Sequence, residues 1–343
     1  MVSKSASWIL FFYPCSSIAT EFTAGLTHDL SQVVSGGLQQ DLSSRFLASI
    51  AVSYDLNPQT QFYLDTSFFS GQDGSEDTGD IQAYSNIDNI EDKALYQAWL
   101  YHRINPQLSL KLGVSDANAD FAVADNAVEF INSSMGLSPS ISYLPTYPEP
   151  TLGLNIFWQS NESNQFSFAI FSDDSNQFKS SFYIGEYAFE AQSWRLKLGI
   201  WYQQNLANDL RKDLTNNRQT DSATGYFAVF EGELSDRLSG YIQLGASDEK
   251  LSEITQHLGA GLVKSQPFGR ADDVSGLGVS YITTSRYTHD ELKRSETAIE
   301  WFYKLQLNEH FSLKPDIQFI INPAANILAK DALVFSIRSE FIL

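Results

Sequence analysis

Segments of about ten residues in which apolar and polar side chains alternate recur along the whole chain. In residues 194–200, one face carries Trp, Leu, Leu and Ile, and the other carries Arg, Lys and Gly. Residues 46–54 alternate in a similar way, with apolar side chains at the even positions. A period of two is typical of strands whose two faces meet different surroundings. Very short turns alternate with long polar loops between these segments, which is typical of a membrane-spanning β-barrel.

The alternation predicts sixteen antiparallel strands, with both chain ends on the side of the short turns. The predicted strands are 21–28, 45–55, 61–69, 94–103, 108–115, 152–159, 165–171, 182–190, 194–203, 225–233, 237–246, 256–264, 276–284, 296–306, 311–321 and 331–341. We therefore expect an all-β fold, a 16-stranded antiparallel transmembrane β-barrel. Closure of the barrel would leave no strand edge unpaired in lipid.

The composition fits a barrel and excludes some other classes of protein. No apolar run reaches the roughly 20 residues that a membrane helix needs. The 24 Phe, 16 Tyr and 6 Trp suit aromatic girdles at the two membrane interfaces. A formal net charge of −19 argues against nucleic-acid binding. It does not exclude the passage of anions, because pore selectivity depends on local charge.

The sequence contains no recognisable catalytic or metal-binding motif. The patterns G-x-S-x-G, H-E-x-x-H and the P-loop are absent, and none of the five histidines lies in a nucleophile motif. We therefore expect no enzyme activity such as that of an outer-membrane phospholipase, no cofactor and no metal site. The acidic stretches 73–77 and 88–92 are predicted to be solvated loops, and weak divalent-cation binding there is the alternative.

Residues 1–19 are predicted to be an export signal peptide, followed by the barrel at 20–343. Lys4 supplies a positive charge, residues 8–13 form a short apolar core, and Ser17-Ile18-Ala19 fits a small-x-small cleavage site. The alternative is an N-terminal strand or a disordered tail. Cys15, the only cysteine, lies in this segment, so cleavage would leave a chain without disulfides.

Residues 116–150 are predicted to form a constriction loop inside the barrel. A barrel of sixteen strands is too wide to be filled by its own side chains and leaves an aqueous lumen. A connection of this length is also unusual. Its middle, residues 121–131, is rather apolar with helix-compatible spacing, which a loop facing only water would not need. The alternative is a hairpin cap packed above the mouth of the barrel.

Several segments together resemble the carbohydrate-selective porins of the OprB type. Residues 95–99 (LYQAW) and 108–118 (LSLKLGVSDAN) resemble the family's strand pair and its G-x-x-D-x-N turn. Phe121-Ala122 and residues 130–136 (FINSSMG) resemble its F-A and F-x-N-S-S-F/M-G elements. Residues 313–323 (LKPDIQFIINP) are similar to its L-x-P-D-x-Q-x-I-x-N-P signature, and 34–38 (VSGGL) also fits. Ser115 stands where a longer side chain often precedes the Asp.

The resemblance implies an outer-membrane porin for the facilitated diffusion of monosaccharides and similar small hydrophilic solutes. It also implies contact with membrane lipid and lipopolysaccharide in the bacterial outer membrane. A homotrimer is compatible with a porin of this size, and the sequence leaves this open. The alternative function is a general or anion-selective diffusion porin without sugar preference. A soluble exported β-sandwich such as a lectin would not explain the strict order of short and long loops.

The alternation also predicts which side chains face the lumen. Charged side chains avoid the lipid face, because a basic residue at the bilayer midplane costs about 2–4 kcal/mol. The strand residues predicted to line the pore are Arg45, Trp99, Lys111, Arg195, Lys197, Glu300, Lys304, Asp316, Gln318 and Arg338. On the constriction loop, Asp116, Asn118, Asp125 and Glu129 are predicted to oppose the basic side chains. Two alternatives stay open: Asp116 and Asn118 as an Asx-type turn, and Trp99 as an interfacial anchor.

Overall fold

The computed structural model describes residues 20–88, 95–173, 178–208, 210, 220–288 and 292–343. The signal peptide predicted for residues 1–19 lies outside this part of the chain. None of the helices in the described ranges is long and apolar enough to cross a membrane.

Sixteen antiparallel strands form a closed barrel, as predicted. Each strand pairs with the next along the chain, and β1 closes the barrel by pairing with β16. The strands are β1 (Thr20–Gly37), β2 (Leu42–Asn57), β3 (Thr60–Gly71), β4 (Leu95–Asn105), β5 (Leu108–Ser115), β6 (Thr151–Asn161), β7 (Asn164–Ser172), β8 (Ser181–Glu190), β9 (Trp194–Asn208), β10 (Thr220–Ser235), β11 (Leu238–Ser247), β12 (Ile254–Ser265), β13 (Val274–Thr284), β14 (Ser295–Gln306), β15 (Phe311–Ile321) and β16 (Lys330–Ile342).

The two faces of the barrel wall differ as the alternation requires. On β9, Leu198 and Ile200 are exposed on the outer face, while Lys197, which precedes Leu198, is buried on the inner side. Strand β5 shows the same difference: Leu112 is exposed on the outer face, and its neighbour Lys111 is buried on the inner side. The outer surface is therefore apolar, whereas the inner surface collects the charged and polar side chains.

Four short turns at one end of the barrel share the same side-chain-to-backbone hydrogen bond. The side chains of Asn57, Asn105, Asn161 and Asn308 each accept a hydrogen bond from the backbone N–H two residues later, at 2.9–3.0 Å. Such Asx contacts favour a tight reversal of the chain. They fix the register of four hairpins at short turns, which the sequence predicted between the strands.

Strand β1 is longer than predicted, because its second half carries polar residues that resemble a loop. Asp29 and Ser31 are buried on the inner side of the wall. Asp29 accepts two hydrogen bonds from the Arg338 guanidinium on β16, at 2.7 and 2.8 Å. An inward-facing polar residue thus continues the strand where sequence reasoning ended it.

The helix-compatible spacing of residues 121–131 does not correspond to a helix. This stretch contains one short 3-10 turn, Asp125–Ala127, and a one-turn helix follows at Ser133–Gly136. Its backbone N–H groups at Ala122, Asn126 and Ile131 donate to side chains of the barrel wall instead. The apolar spacing therefore reflects packing against the wall.

Candidate functional site

Residues 116–150, the long insertion, lie against the inner side of the barrel wall. Buried carboxylates on three strands accept its backbone N–H groups. Glu186 accepts from Ala122 at 2.8 Å, Glu231 from Asn126 at 2.9 Å, and Glu300 from Ile131 and Asn132 at 2.6 and 3.0 Å. Each of these bonds satisfies a backbone N–H group that would otherwise be buried inside the barrel without a partner. The arrangement agrees with an inserted loop and disagrees with a cap above the mouth.

A second segment, residues 72–88 or the short insertion, also folds inward. Glu296 on β14 accepts the N–H groups of Ile81 and Gln82 at 3.0 and 3.2 Å. Asp88 pairs with Arg45 on β2, with 2.6 Å between Nη1 and Oδ1, and both side chains are buried. The prediction of a solvated loop was therefore wrong for Asp88, because an opposing arginine on the wall compensates its burial. Residues 89–92 of that acidic stretch lie outside the described residues.

The two insertions bind each other inside the barrel. Asn86 N–H donates to the Ile131 carbonyl at 2.8 Å, and Ser133 N–H donates to the Ala83 carbonyl at 3.0 Å. The lumen is thus narrowed by two segments that support one another, where the sequence predicted one.

One charged cluster joins the long insertion to strand β9. The Asp125 carboxylate pairs with Arg195 and with Lys197, whose Nζ lies 3.1 Å from Oδ2. Arg195 also pairs with Glu190 at the end of β8. Burial acts to raise the pKa of Asp125, but Lys197 and Arg195 outweigh it and hold that pKa below its ordinary value. Asp125 is therefore ionised at neutral pH.

A second charged cluster lies where the long insertion meets β14 and β15. Lys304 Nζ lies 2.9 Å and Lys314 Nζ 3.0 Å from the Glu129 carboxylate. Glu340 on β16 pairs with the same two lysines at 3.4 and 3.5 Å. Two cations and two anions thus form a compact group at the edge of the lumen.

Trp99 lies on the inner face of β4, within a polar wall. Its ring stacks on Tyr63 of β3, with 4.7 Å between centroids, and Lys111 Nζ of β5 lies 4.7 Å from the ring centroid. Lys111 in turn pairs with Asp120 at 2.7 Å. Trp99 is 8% exposed, so these neighbours leave little of its ring free for stacking on a solute.

Five predicted pore residues lie beneath the insertions or against a neighbouring strand and have almost no free surface. Arg45, Glu300, Asp316 and Gln318 are 0% exposed, and Arg338 is 4% exposed. Gln318 donates to the Tyr84 carbonyl of the short insertion at 2.7 Å and accepts from Asn132 of the long one at 3.1 Å. In this arrangement these side chains hold the insertions or the wall in place.

Asp116 and Asn118 form the Asx-type turn that the sequence left open as an alternative. The Asp116 carboxylate accepts the Asn118 N–H at 2.8 Å and caps the 3-10 turn Ala117–Ala119. It also accepts a hydrogen bond from the Tyr96 hydroxyl on β4. The two residues thus anchor the start of the long insertion to the wall at β4.

Sequence reasoning missed the wall positions that receive the insertions. A Cβ added to Gly278 on β13 would lie 2.8 Å from Cε1 of Phe130 and 2.9 Å from Sδ of Met135, both in the long insertion. Glycine inside a strand pattern often marks such a close approach, so this signal was available. Glu186, Glu231 and Glu296 were missed as well, although their inward positions followed from the alternation.

No group of three or more His, Cys, Asp or Glu side chains in the described ranges could hold a metal ion.

Comparisons with known proteins agree with this architecture. The family model described as carbohydrate-selective porin, OprB family, matches residues 56–343. Porin AaxA of Chlamydia abortus is 26% identical over 227 residues, which cover 64% of this chain and 47% of the relative. The chain thus spans about half the length of the curated relatives it matches.

Solved structures share the fold at low sequence identity. The high-pH structure of Pseudomonas putida OprB has a TM-score of 0.85 and 18% identity, and the match covers 94% of each chain. OmpT of Vibrio cholerae, in its trimer form, has a TM-score of 0.61 and 11% identity, covering 95% of this chain and all of that one. Both likenesses bear on the fold alone.

Proposed function

The chain belongs to the carbohydrate-selective porin, OprB family, and from this premise we propose that it lets monosaccharides and similar small solutes diffuse through the bacterial outer membrane. Proteins of this family and fold are porins of the outer membrane, which pass small solutes. The observation that carries the proposal for this chain is the pair of insertions bound inside the barrel. They narrow the lumen to a passage with polar and charged edges.

The charges at the passage favour a neutral polar solute. Lys111, Arg195, Lys197 and Lys304 each pair with a carboxylate within 3.7 Å. Paired charges keep the passage wet and set up a local field, yet they attract an ion less than a free charge of one sign would. A sugar can exchange hydrogen bonds with such groups without a charge having to be neutralised.

We assign the solute contacts to the partly exposed members of the two charged clusters. Arg195 and Asp125 form one edge of the passage, and Lys304 and Glu129 form another, each with about a fifth of its side chain exposed. Lys111 and Asp120 form part of the wall between β5 and the insertion. Trp99 is a weaker candidate because its ring is already flanked.

Anion-selective diffusion remains the second candidate, because the family name does not fix the solute of this chain. It would require basic side chains free to meet an anion. The pairing of the lysines and arginines at the passage is therefore the observation that favours sugars.

We extend the proposal to the surroundings of the barrel. The apolar outer face would contact membrane lipid and lipopolysaccharide, and three copies would associate as OmpT does in its trimer form. We propose a channel without enzyme activity, cofactor or nucleic-acid partner. The acidic composition argues against a nucleic-acid partner, and membership of a porin family supports a channel.

Single-channel conductance of the refolded protein in planar bilayers tests the proposal. Glucose, a disaccharide and phosphate are added in turn, and a heat-modifiable shift in gel mobility first establishes that the barrel is folded. Saturable block by a monosaccharide is the expected result. Block by phosphate alone would support the anion porin, and folded protein without conductance would refute both.

A further inference from the structure

Five buried side chains form a continuous hydrogen-bonded chain between the two insertions. Within the long insertion, Ser140 Oγ and Ser138 Oγ are 2.9 Å apart. Ser138 Oγ lies 3.0 Å from Nδ1 of His257 on β12, and His257 Nε2 lies 3.0 Å from Ser280 Oγ on β13. Ser280 completes the chain by donating to Gln82 Oε1 of the short insertion.

The polarity of this chain follows from its last bond. Ser280 gives its only proton to Gln82, so its oxygen must accept from His257, and Nε2 carries the imidazole proton. Nδ1 is then an acceptor, so Ser138 donates to it. A neutral imidazole has one acceptor nitrogen and one donor nitrogen. It can therefore accept from the Ser138 hydroxyl and donate to the Ser280 hydroxyl at the same time.

The surroundings of His257 are neutral and closely packed. His257 is 3% exposed and is flanked by Ser138 and Ser140 from the long insertion, Gln243 from β11 and Ser280 from β13. Gly245 on β11 makes room for the serines, because a Cβ there would lie 2.1 Å from Ser140 Oγ and 2.2 Å from Ser138 Oγ. The wall thus provides both the ring and the space for the loop hydroxyls.

We propose that His257 is a positioning residue for the constriction, and that its neutral imidazole holds the two insertions at a fixed separation. Each nitrogen serves a different insertion: Nδ1 holds the long one through Ser138, and Nε2 holds the short one through Ser280 and Gln82. The inference rests on the proposed function only in assuming that the barrel is an open channel. It does not depend on which solute passes through the channel.

Amide hydrogen exchange of the refolded barrel tests the assignment of each nitrogen. H257F removes both bonds, H257N keeps an acceptor at the Nδ1 position, and H257Q keeps a donor at the Nε2 position. We expect exchange about fivefold faster in both insertions for H257F, in line with the loss of about one buried hydrogen bond each. For H257N the faster exchange is expected in residues 79–87 only, and for H257Q in residues 133–141 only.

N126A is the matched control, since it also removes one bond between the long insertion and the wall, from Asn126 Nδ2 to the Gly240 carbonyl at 3.0 Å. It should speed exchange around residue 126 and leave 79–87 unchanged. The ¹⁵N shifts of labelled histidine should show the Nε2–H tautomer for His257, and H257F should broaden the distribution of conductance steps. Identical exchange patterns for H257N and H257Q, or an Nδ1–H tautomer, would overturn the assignment. Loss of sugar block with these patterns intact would count against the proposed function alone.

Discussion

Glu129 is shared by two lysines of the wall, and its replacement should change the charge of the passage. Lys304 and Lys314 lie 2.9 and 3.0 Å from its carboxylate, and Lys314 is almost fully covered. E129Q removes one negative charge and leaves Glu340 as the remaining carboxylate partner of both lysines. We therefore expect the reversal potential in a KCl gradient to shift towards the equilibrium potential of chloride. Docking of the long insertion should weaken by about 1–3 kcal/mol. E249Q, in an external loop, is the control, and equal reversal potentials for the two variants would contradict the prediction.

The same carboxylate should make the passage sensitive to acid. Burial acts to raise the pKa of Glu129, but Lys314 and Lys304 outweigh it and hold the pKa below the ordinary 4.5. The ionised carboxylate therefore stabilises docking fully above about pH 4.5, and this contribution is lost as the pH falls through the lowered pKa. We expect open-channel noise to stay constant from pH 7 to pH 5 and to rise below pH 4.5. E129Q should lack this rise. Noise that already increases above pH 5 would mean that another group causes the acid sensitivity.

At the scale of elements, the strands and the presence of one long inserted loop were predicted from the sequence, whereas the contacts of the two insertions were not. The alternation predicts β5 and β15 at their exact bounds, because each side chain of a strand meets lipid or lumen directly. The insertions have no such local rule. Glu296 and the N–H groups of Ile81 and Gln82 lie more than 200 positions apart in the chain, so no sequence window contains the contact. The inward position of Glu300 was predictable from the alternation, but its contact with the long insertion was not.

The contact between β13 and the long insertion can be tested at one glycine. G278V would place a side chain where Phe130 and Met135 now lie, within 2.9 Å of the added Cβ. Overpacking of this kind costs about 1–3 kcal/mol, and the insertion is the element that can move. We expect a larger conductance from a barrel that keeps its heat-modifiable mobility. G185V on the lipid face, where the nearest atoms are 3.9 Å from a Cβ, should conduct like the native protein. Unchanged conductance of G278V would mean that the insertion does not limit the current.

The whole molecule carries an excess of negative charge, and part of it reaches the lumen wall. Asp65 on β3 is 9% exposed and contacts the Tyr63 hydroxyl at 3.4 Å, and no Lys or Arg in the described ranges pairs with it. The lysines of the passage, in contrast, are compensated by carboxylates. We therefore expect the channel to favour potassium modestly over chloride, even though its proposed solute is neutral.

D65N isolates this contribution to ion selectivity. One unit charge about 10 Å from an ion in water is worth about 0.4 kcal/mol, or about twofold for each ion. Because the charge acts with opposite sign on the two ions, removing it should lower the potassium-to-chloride permeability ratio by about fourfold. The effect should shrink in concentrated salt, because screening shortens the reach of the charge. D236N makes the same substitution in an exposed turn at the rim and should leave the ratio unchanged. A native channel that prefers chloride would show instead that the paired lysines dominate the electric field in the passage. That result would favour an anion-selective porin over a sugar porin.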